Sequence, residues 1–426
     1  MSNSATASAF TVVPFGSSAQ FFLAVLPEEN YQTADDTQGH GKTADDWAAQ
    51  IRNILENTRQ ILLENGFENN VAASNFFLKD IGKKELIRQI IWEVFPTESF
   101  PKGLGATTFI PQPPADGSAV SLELWAIKGN SDNSRTIKDD FASFVSEVEF
   151  DGLRWIFAGD ARSETAPIGA YRRSYSAFEQ LREQLRCAEA DIPQVLRTWI
   201  YQGHLVLPEG ETQRYKELNR ARTNFFNGIE FLKDYLPKDH SGTVYPASTG
   251  IGTDDMDIVI SAIAVAKSKK TLGIHSPFLT VPLENPHQTS AFDYGKVYSP
   301  QSPKFSRALA AVHKDSCMIF VSGTASITDS ESRFIEDPEK QTEQTLDNIA
   351  ALIDTDNLNR HRIDGFESGL SALQIARVYV KRPDELEIIR KVCEERLKDI
   401  PVIYIVADVC RPELLVEIEG IAVINR

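Results

Sequence analysis

Apolar residues follow two rhythms along this chain. In QIRNILENTRQILLENGF (50–67) they recur every three or four positions, the spacing of one buried helix face. AASNFFLKDI (72–81) then reads as a strand and KKELIRQIIWEVF (83–95) as a second helix. LGATTFIPQ (104–112) and the alternating SAVSLELWAI (118–127) close the series as two strands. The same order returns in QTEQTLDNIAALI (341–353), IARVYVKRPDE (375–385), LEIIRKVCEERL (386–397), PVIYIVADVC (401–410) and LLVEIEGIAVI (414–424). In that register Gln50 matches Gln341, Asn57 matches Asn348 and Arg88 matches Arg390.

A looser third copy lies between them. It runs LRWIFAGDA (153–161), YSAFEQLREQLRCAEA (175–190), VLRTWIYQGHL (195–205), QRYKELNRARTNFF (213–226), TVYPASTGIG (243–252) and MDIVISAIAVA (256–266). Five elements recurring in order with matched polar positions predict an α+β repeat with units at 8–130, 145–268 and 292–426. The stretches KGNSDNSRTIKDD (128–140) and GIHSPFLTVPLENPHQTS (273–290), rich in turn formers and proline, read as linkers.

Glu417 and Glu419 in the last apolar run share one strand face, because residues two apart point the same way. Burying two carboxylates is costly unless they are paired or put to use. Aligning the closing strands VSLELWAI (120–127), IVISAIAV (258–265) and VEIEGIAV (416–423) sets Glu419 beside Glu123 and Ser261, and Glu417 beside Ser121 and Val259. The acid at 419 occurs twice and reads as structural, held by a basic residue of a neighbouring unit. The acid at 417 survives in one unit of three, which fits a single active cleft; a partly exposed edge glutamate is the plainer alternative.

The stretches SPKFSRAL (302–309), FVSGTAS (320–326), QTEQTLDNIAAL (341–352) and VEIEGIAV resemble the RidA/YjgF family. That family has a chorismate mutase-like fold and assembles as trimers, with ligand sites in the clefts between units. Three such units in one chain imply an intramolecular pseudo-trimer, a monomer or at most a weak dimer. Deaminases of that family carry an arginine in the turn before the closing strand. None of the three turns here has it, so enamine/imine deamination becomes a secondary expectation, beside a non-catalytic small-molecule-binding role. Relatives of these kinds often carry names such as endoribonuclease L-PSP or translation initiation inhibitor.

ENPHQTSAFDY (284–294), SPKFSRA, VSGTASI and ADVCRPELLVEIEG (407–420) together resemble the chorismatase branch more closely. The resemblance implies hydrolysis of the enolpyruvyl ether of chorismate or a similar cyclic carboxylate, releasing pyruvate without a cofactor. Glu417 would be the general acid, and Cys410 and Gly323 fall where the 3-hydroxybenzoate-forming members have cysteine and glycine. Arg390 and Tyr294 match carboxylate ligands of the branch and Arg222 is a further candidate, although Arg390 is equally readable as a solvated helix arginine. His287 stands where the branch has an arginine, a shorter side chain that is often neutral at pH 7.

Charge narrows the partners. A formal net charge of -16 repels phosphate backbones, and no basic run offsets it, so nucleic acid is not an expected partner. Seven histidines and four cysteines show no metal-ligand spacing, so neither a metal nor a cofactor is expected. No segment approaches the ~20 apolar residues of a membrane span, and the first residues lack a signal-peptide pattern. Free thiols then suit a cytoplasmic protein whose partner is a small-molecule carboxylate.

Overall fold

The computed structural model describes residues 8–27, 47–96, 100, 103–129, 134–138, 143–163, 168–269, 277–295 and 301–426. Its first sheet combines β1 (Ser8–Phe15), β2 (Ser18–Val25), β3 (Val71–Leu78), β4 (Ala106–Ile110) and β5 (Val120–Lys128), with α1 (Trp47–Asn65) and α2 (Lys84–Val94) on one face. After β6 (Ser134–Lys138), the second holds β7 (Ser143–Phe150), β8 (Leu153–Arg162), β9 (Val195–Gly203), β12 (Ala247–Thr253) and β13 (Ile258–Lys267). Its helices are α3 (Ala170–Cys187) and α4 (Arg214–Phe225), the latter entered through the small hairpin β10 (Pro208–Glu209) and β11 (Thr212–Gln213). The third contains β14 (Phe278–Leu283), β15 (Ala308–His313), β16 (Ser316–Ala325), β19 (Leu373–Val380), β20 (Val402–Val406) and β21 (Val416–Asn425). With it come the hairpin β17 (Ile327–Thr328) and β18 (Glu331–Ser332), and the helices α5 (Pro338–Ile353), α6 (Thr355–Arg360) and α7 (Leu386–Leu397).

The strand orders are β1-β2-β5-β3-β4, β6-β7-β8-β13-β9-β12 and β14-β15-β16-β21-β19-β20. Without β6 and β14 the three sheets are the same sheet, down to one parallel pair at the same edge: β3–β4, β9–β12 and β19–β20. Fine detail repeats as well. Each first hairpin turns through two residues, and Gly16, Asp151 and Lys314 all open that turn at φ of 50–57°. A left-handed residue there matches the strands' own twist, and only glycine adopts it without strain. Gln50 accepts the amide of Ala119, just before β5, as Gln341 accepts that of Leu415, just before β21. The chain is therefore an α+β fold of three repeated units.

Strand alternation separates two cores. One face of the first sheet, with Phe21, Leu23 and Leu122, packs under α1 and α2; the opposite face, with Phe22 and Trp125, meets the other sheets. Trp125 sits 5.2 Å from Phe157 and 6.3 Å from Phe320, so aromatic rings of all three units converge at the centre. Fully burying such a side chain is worth about 1.5–3 kcal/mol.

The two stretches read as linkers behave differently. Residues 134–138 and 278–283 are edge strands pairing with β7 and β15. Residues 130–133, 139–140 and 273–276 of the same stretches lie outside the described residues. Pro282, which suggested a break, is tolerated because an edge strand has one side without ladder bonds. Among the described residues no helix is long and apolar enough to cross a membrane.

Candidate functional site

The closing strand β21 presents Glu417 and Glu419 on the same face, both buried. Strand pairing sets Glu419 opposite Arg377, Ser261 opposite Trp199 and Glu123 opposite Asn75, which makes the three positions equivalent. Glu419 is tied to Arg197 and Thr249 of the second unit, accepts the Tyr379 hydroxyl at 2.6 Å and pairs with Arg377 at 3.1 Å. Arg377 also grips Glu123 of the first unit through two bonds of 2.6 Å. One buried network thus links all three units, and every carboxylate in it is paired.

Glu417 faces elsewhere, into a cavity of about 260 Å³ between the second and third units. Two glycines open it. A Cβ on Gly323 would lie 2.0 Å from Glu417 Oε1, so only glycine leaves the carboxyl its place. The equivalent residue of the second unit is Asp160, since Val321 and Ala158 hold matching registers two residues earlier. Asp160 closes the cleft toward the first unit: it accepts the Phe109 amide at 3.1 Å and pairs with Arg162 at 3.0 Å. Gly250, next to Thr249 on β12, matches Phe109 on β4 and Tyr404 on β20. A Cβ there would stand 3.6 Å from the Tyr215 ring, so where the other units carry an aromatic this one has bare backbone bordering the cavity.

This comparison corrects the expectation for Arg390. Its guanidinium lies 5.3 Å over the Tyr404 ring and 3.2 Å from Glu387 on its own helix, away from the cleft. Arg88 stacks on Phe109 at 5.2 Å in the same way. The match between Arg88 and Arg390 records a shared packing device rather than a ligand. His287 is likewise outside the cleft. Its amide donates to Asn285 Oδ1 and its carbonyl accepts the Asp329 amide, and the side chain is turned to solvent.

Glu417, Cys410, Tyr294, Arg222 and Gly323 all line the cavity. Arg222 reaches in from α4, donating to Asn219 Oδ1 at 2.7 Å. Tyr294 accepts a 2.6 Å hydrogen bond from Arg307, which also donates to the Thr289 carbonyl. Arg307, Arg411, Tyr215 and Lys216 line the cavity too, and were missed as site residues. Arg307 and Arg411 sit inside SPKFSRAL and ADVCRPELL, stretches noted for their likeness to a family but not for these side chains. Four cations (Lys216, Arg222, Arg307, Arg411) face two acids (Glu413, Glu417), a positive pocket in an acidic protein. Buried Nε atoms of Arg222 and Arg307 have no hydrogen-bond partner among the described residues.

The acid stands out electrostatically. Burial, then the nearby Glu419 charge, push the Glu417 carboxyl up to about 8, against the pull of Arg197 and Arg307. It therefore holds a proton at neutral pH. Burial also pushes the Cys410 thiol up to about 12, so it is an un-ionised wall of the cleft. Among the described residues no group of three His, Cys, Asp or Glu side chains could hold a metal ion. Such a site can bind an anionic compound and protonate it.

No family model matches the chain. A 3-hydroxybenzoate synthase from Streptomyces hygroscopicus is 31% identical over 286 residues, covering 64% of this chain and 77% of that protein. A chorismatase from Streptomyces rapamycinicus is 31% identical over 237 residues, covering 54% of this chain and 64% of its own length. A chorismatase crystal structure superposes with a TM-score of 0.61 at 20% identity, over 83% of this chain and 93% of that one, a likeness of fold.

Proposed function

Because this chain belongs to the family of the 3-hydroxybenzoate synthase and is also similar to the chorismatases, we propose that it cleaves the enolpyruvyl ether of chorismate or a similar cyclic carboxylate, releasing pyruvate. The observation that carries this reading is a buried, protonated Glu417 in a cleft lined with guanidiniums. An enol ether breaks when its terminal methylene carbon accepts a proton. The cation that results is trapped by water, and the adduct collapses to pyruvate and the ring alcohol.

Glu417 supplies the proton. Its carboxylic acid is held against Gly323, and no cofactor is invoked. Arg222, Arg307 and Arg411 hold the carboxylates of the substrate by charge-assisted hydrogen bonds, with Tyr294 fixing Arg307. Cys410, a neutral thiol close to the acid, borders the ring being released and belongs with it in the catalytic wall.

The test is incubation of the purified protein with chorismate while pyruvate is followed by a coupled dehydrogenase. Glu417→Gln keeps the shape and removes the acidic proton, so pyruvate release should drop by at least ~10²-fold, the scale of losing a general acid. Binding of a ring carboxylate should persist, because its ligands are the arginines. Full turnover by the Gln variant would overturn the assignment of the acid, and no pyruvate from the unaltered protein would overturn the reaction.

A further inference from the structure

Along one wall of the cleft, cations and rings alternate. The Cζ of Arg222 lies 5.7 Å from the Phe305 ring centroid, and that of Arg307 is 5.7 Å from the same ring. Arg307 is also 5.4 Å from the Tyr294 ring, whose other neighbour is Arg411 at 5.6 Å. Three guanidiniums crowded into one small cavity would repel one another. Here each lies over the electron-rich face of a ring, and each neighbouring pair shares one.

Phe305 is the step in this ladder that bridges two units. Arg222 comes from α4 of the second unit, and Arg307 lies at the entry to β15 of the third. Asn219 fixes the first guanidinium, and Tyr294 with the Thr289 carbonyl fixes the second. Each keeps a buried Nε–H without an acceptor among the described residues. Phe305 is the ring that these two anchored guanidiniums share.

We propose that Phe305 is a specificity-determining residue. It sets the separation of Arg222 and Arg307, so that the cleft selects ring compounds carrying two carboxylates over those carrying one. This rests on reading the cleft as a carboxylate site. Phe305 offers no hydrogen bond, so its contribution lies in spacing and in the ring face it shows to both cations.

Calorimetric titration of the full chain with isophthalate and benzoate tests the proposal without requiring turnover. The unaltered protein should bind isophthalate at least ~10-fold more tightly than benzoate, one further charge-assisted contact. Phe305→Leu and Phe305→Met keep the bulk and remove the ring; either should cut that ratio by ~10-fold, mainly through isophthalate. Phe305→Tyr keeps the ring and should keep the ratio. An unchanged ratio in the folded Leu or Met variant would overturn the proposal, as would equal loss in the Tyr variant or no preference in the unaltered protein. Failure of the hydrolase reading looks different: no pyruvate from chorismate, with the ring-dependent preference for isophthalate intact.

Discussion

A carboxyl that is protonated at neutral pH works as an acid until the solution removes that proton. With Glu417 raised to about 8 by burial and by Glu419, turnover should fall on the basic side through about pH 8, a limb readable in kcat/KM against pH. The linkage has a matching sign. The folded value exceeds the ordinary 4.5, so the group's contribution to stability is full below about 4.5 and is lost as pH rises through about 8. Glu417 could be singled out from sequence because two sister units, with Ser121 and Val259, supplied a comparison within one chain. Arg390 resembles a carboxylate ligand of the branch and reads equally well as a helix arginine; the ring beneath it decides for packing, as the ring beneath Arg88 does. Arg307 and Arg411 were invisible as ligands because nothing along the chain says that they converge with Arg222.

Elements were more legible than site residues. Helical and alternating periodicities located α1, α2, α5, α7 and the closing strands, since each buries one face and the pattern records it. Edge strands β6 and β14 were read as linkers, because an edge tolerates the polar and proline residues that signal a loop. The role of β12 was hidden too. Its Gly250, which ends the run of small residues ASTG in TVYPASTGIG, stands where β4 has Phe109 and β20 has Tyr404. Restoring the aromatic should close the cleft. We expect Gly250→Phe to fold with the same circular dichroism spectrum and to lose ring-carboxylate binding by at least ~10-fold in calorimetric titration, because the ring would displace Tyr215 and the ligand together.

At the scale of the molecule, the shared network of Glu123, Arg197, Arg377 and Glu419 sits where the three sheets meet. Glu419→Gln would leave Arg197 buried with its carboxylate partner gone. Breaking a buried ion pair in this way costs roughly 3–5 kcal/mol, which chemical denaturation would register as a lower midpoint. The same change removes a charge that raises Glu417, so the basic limb of activity should move toward lower pH. A variant as stable as the parent would show that the central pairs add nothing net.

The three interfaces differ in what fills them: Asp160 against Phe109 in one, Gly323 facing Gly250 in another, and Tyr404 hydrogen-bonded through its backbone to Ala115 in the third. In a ring of identical chains, one codon edits every cleft at once, and a change that ruins catalysis ruins it three times. Here each cleft has its own codons. Two can hold bulk and charge while the third keeps the two glycines that leave its cavity open. Tandem arrangement thus separates inheritance from symmetry: each interface of this one chain can change without the other two.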